Sequence, residues 1–299
     1  MSYNVTQLPA YVEQNKSELL SAAILSPTTI EDFTWMSGVH SPTTLNLMNN
    51  SLTFQNGSTC GFNPTDTTEL TQRTLTPGVI KVNATWCGLD VINTYATHMI
   101  AMGAGKESMP FEQKIMADYT IHLKNELERA IWQSNKATGS GNRSFLDGIM
   151  AILDAASALT TNVTFDASDT AKDKIEKVFL AIPEKVLDKA VIYVSPALFR
   201  QYVTELVAVN LFHYTPEIDP SREVIIPGTQ TKVKMAMGLT GSGNIYAFDP
   251  KNCVYGFDAE GDYTNYKLWY DDTDEVYKMI IRFSAGVQFA FPQYVTVGK

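Results

Sequence analysis

The sequence is poor in cysteine, in dense basic runs and in long apolar stretches, and each shortage removes a class of protein. Its three cysteines, Cys60, Cys87 and Cys253, lie far apart without any Cys-x-x-Cys spacing, which argues against a disulfide framework or a structural zinc site. They read as reduced thiols. Against 32 Asp and Glu stand only 23 Lys and Arg, and the resulting net charge of −9 has the wrong sign for a protein that grips a phosphate backbone. No apolar run nears the roughly 20 residues of a membrane helix. Met1-Ser2-Tyr3-Asn4 lacks the basic start of a signal peptide, so folding in the cytoplasm and no membrane partner are expected. What is present is length and apolar content: 299 residues, 44% hydrophobic, can bury a substantial core without disulfides or metal.

Charge is scarcest at the start, where the first 63 residues carry only Glu13, Lys16, Glu18, Glu31 and Asp32. A short helix is expected from Pro9 to Leu25, after which Pro27, Gly38 and Pro42 interrupt the chain, so this stretch reads as an arm stabilised from outside itself. Strands are expected at Ser51 to Gln55, Glu69 to Leu75 and Val79 to Cys87, with a turn-rich loop from Asn56 to Asp66. Such a long polar two-stranded projection is not stable alone. The strongest helical signal runs from Pro110 to Asn135, where Phe111, Ile115, Tyr119, Leu123, Leu127 and Ile131 recur every fourth position. Shorter helices are expected at Ile149 to Ala158 and Ser168 to Ile182. A buried strand, Ala190 to Ser195, leads through Pro196 into a helix reaching Val209. Beyond Glu223 the chain reads as strand and turn, ending in Tyr263 to Tyr270 and Val276 to Phe283 around an acidic turn, with Gly286 to Phe291 extending the second. The fold class is α+β, without internal repeats.

Motifs that could carry chemistry fail on inspection. Gly103-Ala104-Gly105-Lys106 lacks the leading Gly and the Ser/Thr of a phosphate loop, since Ile100 and Glu107 occupy those places. Asp271-Asp272-Thr273-Asp274-Glu275 starts like a calcium loop but lacks its central Gly and closing Glu, and reads as an acidic hairpin tip. His40, His98, His122 and His213 have no metal-ligand spacing, and no Gly-x-Ser-x-Gly elbow offers a nucleophile. His122 reads as a packing or surface residue. Glu126 and Glu128, beside Arg129, read as a solvated or intersubunit helix face rather than an acid/base pair. The aromatic residues Trp269, Tyr270, Tyr277, Phe283, Phe289 and Phe291 could make a sugar platform, but strand alternation favours a core. No pattern signals catalysis, and no cofactor is expected.

The elements nevertheless come in a telling order. A polar arm and a two-stranded projection precede a long helix ending Leu127-Glu128-Arg129-Ala130-Ile131-Trp132-Gln133, then a Gly-rich loop and Phe145-Leu146-Asp147-Gly148-Ile149. Downstream come Val191-Ile192-Tyr193-Val194-Ser195-Pro196, Ile226-Pro227-Gly228-Thr229, Asn244-Ile245-Tyr246-Ala247-Phe248, Tyr255-Gly256-Phe257-Asp258 and the ending Arg282 to Pro292. Over nearly its whole length the chain resembles the major capsid proteins of tailed bacteriophages, with the Hong Kong 97-type fold.

That resemblance implies an N-terminal arm (1–41), an extended β-hairpin loop (42–90), a peripheral domain with the spine helix (91–185, with return strands 259–299) and an axial domain (186–258). It implies self-assembly into pentamers and hexamers of an icosahedral head that encloses double-stranded DNA without sequence-specific binding. A separate scaffold protein, a portal and decoration proteins are the implied partners. Candidate intersubunit residues are Phe54, Phe62, Arg73 and Lys81 on the loop and Glu126 and Glu128 on the spine helix, with Arg73 and Lys81 expected to meet acids of a neighbouring helix. Because the arm begins almost at once, no removable N-terminal segment is expected. The alternatives are an encapsulin-type nanocompartment and, from another class, a soluble enzyme or carbohydrate-binding protein.

Overall fold

The computed structural model describes residues 28–51, 53–54, 67–87, 111–208, 223–258 and 267–299. The expected helix Pro9 to Leu25, the loop Asn56 to Asp66, Cys60, Phe62, the Gly103 to Lys106 stretch, His98 and His213 lie outside the described residues.

Two sheets and a two-stranded ribbon organise these residues. The first sheet is built on the 14-residue strand β12 (Val276–Phe289), to which β4 (Gly78–Cys87), β10 (Cys253–Phe257) and β11 (Lys267–Asp271) pair antiparallel, while β1 (Thr34–Ser37) adds in parallel to β10. The second sheet runs in the order β5 (Thr161–Val163), β13 (Thr296–Gly298), β9 (Ile245–Phe248), β6 (Val191–Val194), β8 (Lys232–Met235) and β7 (Glu223–Ile225). The ribbon pairs β2 (Thr43–Ser51) with β3 (Thr67–Leu75).

The long helix α1 (Phe111–Gln133) has 23 residues and spans about 35 Å. Its Leu127 and Ile131 pack between the sheets with Trp132, which meets Tyr193, Tyr246 and Phe248 at ring-centroid distances of 5.5, 5.7 and 6.4 Å. On the far side of the second sheet, α3 (Ala171–Leu180) and α4 (Pro196–Ala208) bury Ile175, Val178, Leu198, Tyr202 and Leu206. Strand alternation sends Tyr193, Tyr246 and Phe248 to one face and Ile192, Val194, Ile245 and Ala247 to the other. Both faces are covered, which is why Val191–Val194 and Ile245–Phe248 read as unbroken apolar runs. Short helix α2 (Ile149–Ala155) adds Ile149 and Leu153 beside α1.

The N-terminus of α3 shows how local chemistry sets these elements. Thr170 and Asp173 cap it reciprocally, the Asp173 N–H donating to Thr170 Oγ1 at 3.2 Å and the Thr170 N–H to Asp173 at 3.1 Å. Two further N–H groups, of Ala171 and Lys172, donate to the Glu205 carboxylate of α4 at 3.1 and 2.7 Å, so the two helices are locked end to side.

Three expectations are corrected. Residues 28–41, read as an arm needing outside support, dock on their own chain: Ile30, Phe33 and Val39 are buried and β1 joins the first sheet. Four residues, Thr34-Trp35-Met36-Ser37, are too few and too polar to signal a strand, whereas the partner edge of β10 supplies it. The projection's first strand begins earlier than expected, at Thr43, because Leu45 and Leu75 pin its base, while Leu52 and Gln55 of the expected strand Ser51 to Gln55 lie outside the described residues. Finally, Val79 to Cys87, expected in the projection, instead forms β4, which makes a ten-residue ladder with β12 inside the first sheet.

Candidate assembly interface

The ribbon is the element with the least to hold it. At its base Leu45 and Leu75 join Val39 and Val254 in a small apolar cluster, with Met36 and Leu47 against it. Gln288 anchors it further by donating from its side chain to the Thr74 carbonyl at 2.7 Å. Beyond that point it covers no core. Met48 and Leu70, directly paired across the strands, are 60% and 77% exposed, and Phe54 is fully exposed. A two-stranded ribbon carrying exposed apolar side chains is marginal in water and a hazard for edge pairing unless another surface covers it. Arg73 stands opposite Leu45 on this ribbon, half-buried, and burial pushes its guanidinium down from its ordinary value.

The outer part of α1 borders a second feature. Tyr119, Leu123, Leu127 and Ala130 face Ile80, Val82, Ile281 and Phe283 of the first sheet across an open cavity of about 390 Å³. Beside it Trp86 donates from its indole to the Tyr119 hydroxyl at 2.8 Å with the rings edge to face at 5.1 Å. On the rim, Glu126 accepts from the Asn142 side chain at 3.0 Å and from Arg129 at 3.4 Å, and is half-buried. His122 is exposed, 3.7 Å from Asp118.

Glu128 is not on this rim. It is only 3% exposed and turns inward, where it accepts from the backbone N–H of Thr29 at 3.3 Å and from the Thr29 hydroxyl. Thr29 Oγ1 also accepts from the Trp132 indole at 3.2 Å. Next to it Asp32 accepts from Lys234 at 2.5 Å and from the Tyr193 hydroxyl at 3.2 Å. Burial pushes the Glu128 carboxyl up from its ordinary value, the Thr29 and Trp132 hydrogen bonds and the Lys234 charge opposing it. The same burial holds the Tyr193 hydroxyl well above its ordinary value, reinforced by Asp32. These groups tie the segment before β1 to the end of the spine helix and to the second sheet. Buried in this way, Glu128 does not stand on the solvated or intersubunit face expected of it; the segment it binds lies 99 residues earlier in the chain, which is why no local pattern reveals its burial.

Lys81 is exposed on β4 in the first sheet, where it borders the same cavity as Glu126, and is not on the ribbon with Arg73. Of the C-terminal aromatics, Tyr277, Phe283 and Phe289 are buried, while Trp269 and Tyr270 remain partly exposed on β11. Two carboxylates of the acidic tip are paired locally: Lys278 donates to Asp271 and Asp274, both at 2.6 Å. Cys253 is fully buried and its thiol is held well above its ordinary value, whereas Cys87 is exposed. Among the described residues no group of three metal-ligating side chains converges, and no helix is long and apolar enough to cross a membrane.

No protein-family model and no curated protein matches the sequence. Solved structures do match. The procapsid of satellite phage P4 aligns with a TM-score of 0.60 at 9% identity, over 100% of this chain and 91% of that one. The chain has the tailed-phage capsid fold. A capsid structure of cyanophage A-1(L) aligns at 0.59 with 11% identity, covering 92% of this chain and 91% of the other. A virus-like particle from Pyrococcus furiosus aligns at 0.52 with 10% identity, covering 95% and 96%. In this capsid fold α1 is the long helix that the sequence resemblance named the spine.

Proposed function

We propose that this chain is the major capsid protein of a tailed phage, assembling into pentamers and hexamers of an icosahedral head that encloses double-stranded DNA. The observation that carries this is the capsid fold over nearly the full length of the chain, joined to a ribbon that holds exposed Met48, Leu70 and Phe54 clear of any core of its own. Such a ribbon is an interaction element. The role is structural rather than catalytic, the chain being made in the host cytoplasm and ending in the virion, with a separate scaffold, a portal and decoration proteins as further partners.

Within the shell subunit, residues 42–76 would form the extended loop, α1 with the first sheet the peripheral part, and the second sheet with α3 and α4 the axial part. The ribbon would lie over a neighbouring subunit, with Phe54, Arg73 and Glu126 at the contact, whereas Glu128 is buried within its own subunit. Net charge of −9 on each copy suits a container whose wall must release the DNA it holds. An encapsulin-type protein compartment on the same fold is the second reading, and these likenesses do not favour it over the phage head.

The test is expression of the full chain followed by size-exclusion chromatography and negative-stain microscopy, with and without the neighbouring scaffold gene product. Capsomers, tubes or closed shells are expected. A monodisperse 33.1 kDa monomer across concentration and salt would sink the reading. Particles that fill with a protein cargo and never with DNA would favour the compartment.

A further inference from the structure

The first sheet carries exposed cations that no carboxylate among the described residues answers. Along β4, Ile80, Val82, Ala84 and Trp86 pack against the core, and the side chains between them, Val79, Lys81, Asn83 and Thr85, are exposed. On β12 the exposed Arg282 stands directly opposite Lys81 in the antiparallel register. Exposed Lys267 lies beside them on β11, opposite Ile280. The remaining cation of this sheet, Lys278, is taken up by Asp271 and Asp274, but Lys81, Arg282 and Lys267 form no ion pair among the described residues. Like charges directly opposed across a ladder weaken it. On a chain with nine excess negative charges, two such cations side by side mark a place where an anion is received.

The ribbon carries an anion with the reverse problem. Glu69 is the only carboxylate on β2 or β3, is exposed, and has no partner among the described residues. Alternation puts it on the same ribbon face as Leu45 and Leu75, which at the base press against the body of the molecule. Further out, that face is exposed at Glu69 and Thr71. It also cannot fold back onto Lys81, because β3 and β4 follow one another along β12 with only Thr76 and Pro77 between them. Gln288 holds Thr74 on one side of this joint and Ala285 pairs with Gly78 on the other. Twelve extended positions separate Glu69 from Lys81 in the same copy, about 40 Å at 3.3 Å per residue.

Resting on the shell reading above, we infer that Glu69 of one copy sets its carboxylate between Lys81 and Arg282 of a second copy. The contact replaces a cation–cation opposition with two attractions and fixes how far the ribbon slides over its neighbour. It gives Lys81 a partner on the ribbon rather than on a spine helix.

Charge exchange at fixed ionic strength tests it, using the full chain with light scattering and sedimentation to measure assembly and thermal melting to check the monomer. Glu69→Lys alone, and Lys81→Glu with Arg282→Glu, should each raise the concentration needed for assembly by roughly tenfold or more, as like-charge juxtaposition does at interfaces. All three side chains are exposed, so melting should stay at the wild-type temperature. The triple variant combining the three exchanges should assemble like wild type. A triple variant no better than Glu69→Lys overturns the pairing, as does a Lys81→Glu, Arg282→Glu variant that assembles normally. If that last variant forms normal particles holding less nucleic acid, the cations face DNA and the inference fails in that direction. A wild-type chain that never assembles overturns the shell reading itself, a result distinct from silent charge variants in a chain that does.

Discussion

Glu128 is a single carboxyl whose placement decides how the N-terminal segment is held. Taking it to Ala strands the Thr29 N–H and hydroxyl without their acceptor, and a buried donor left unpaired costs about 1 to 3 kcal/mol, so Glu128→Ala should melt measurably lower by calorimetry. Gln keeps an acceptor and removes the titration. Because burial raises the Glu128 carboxyl in the folded chain, the folded state holds its proton more tightly than the unfolded one. That contribution is present in full below the ordinary carboxyl range and is lost as pH rises through the folded value. The stability of Glu128→Gln relative to wild type should therefore increase as pH rises from about 4 towards neutrality. Denaturation curves at several pH values give the answer, and a Glu128→Gln variant that loses stability relative to wild type as pH rises would contradict the assignment. Gly238 is the second point of precision. A Cβ there would stand 2.2 Å from Trp132 Cδ1 and 2.4 Å from the Glu128 carbonyl oxygen, and Gln133 holds that turn by donating to the Gly238 carbonyl at 2.6 Å. Gly238→Ala should cost about 1 to 3 kcal/mol by overpacking, read as a lowered denaturation midpoint at unchanged slope.

At the scale of elements, the ribbon and the body separate cleanly. Joining Asn46 to Gln72 by an Asn-Gly turn removes residues 47–71 while keeping Leu45 and Leu75, the side chains that bind the base to Val39 and Val254. The shortened chain should melt within a few degrees of wild type and fail to form shells; shells of normal yield would show that the ribbon is dispensable. The elements also differ in how plainly the sequence announces them. Tyr119, Leu123, Leu127 and Ile131 repeat at helical spacing and so reveal α1 to within two residues at each end, and Pro183 and Pro196 mark the boundaries of α3 and α4. Runs buried on both faces, such as Ile245–Phe248, are as plain. What stayed hidden depends on distant partners. The short strands β1, β13 and β5 exist because β10, β9 and β13 offer edges to them, and three or four residues carry too little periodicity to report that. Glu128 looked solvated because Glu126 and Arg129 beside it are, and only the return of residue 29 to the end of α1 buries it. Lys81 and Arg282, 201 positions apart, could not be seen as neighbours before the β4–β12 register was known.

At the scale of the whole molecule, two electrostatic effects of opposite sign meet in assembly. Every copy carries −9, so bringing copies together is opposed by a repulsion that salt screens over a Debye length of about 10 Å at 0.1 M. Added salt should thus promote association of this acidic chain. The contact of Glu69 with Lys81 and Arg282 works the other way, since an exposed ion pair is weakened by the same screening. Wild type should show assembly that rises with salt at first and then levels or declines as the specific pairs are lost. Glu69→Gln removes the second effect and keeps the first, so its assembly should begin lower and rise steadily with sodium chloride from about 20 mM to 1 M, converging on wild type at the top of the range. Static light scattering at matched protein concentration follows both curves. Parallel curves for the two proteins would mean that Glu69 makes no ionic contact in the shell, and a wild-type curve that only falls would mean that attraction between unlike patches outweighs the repulsion between acidic copies.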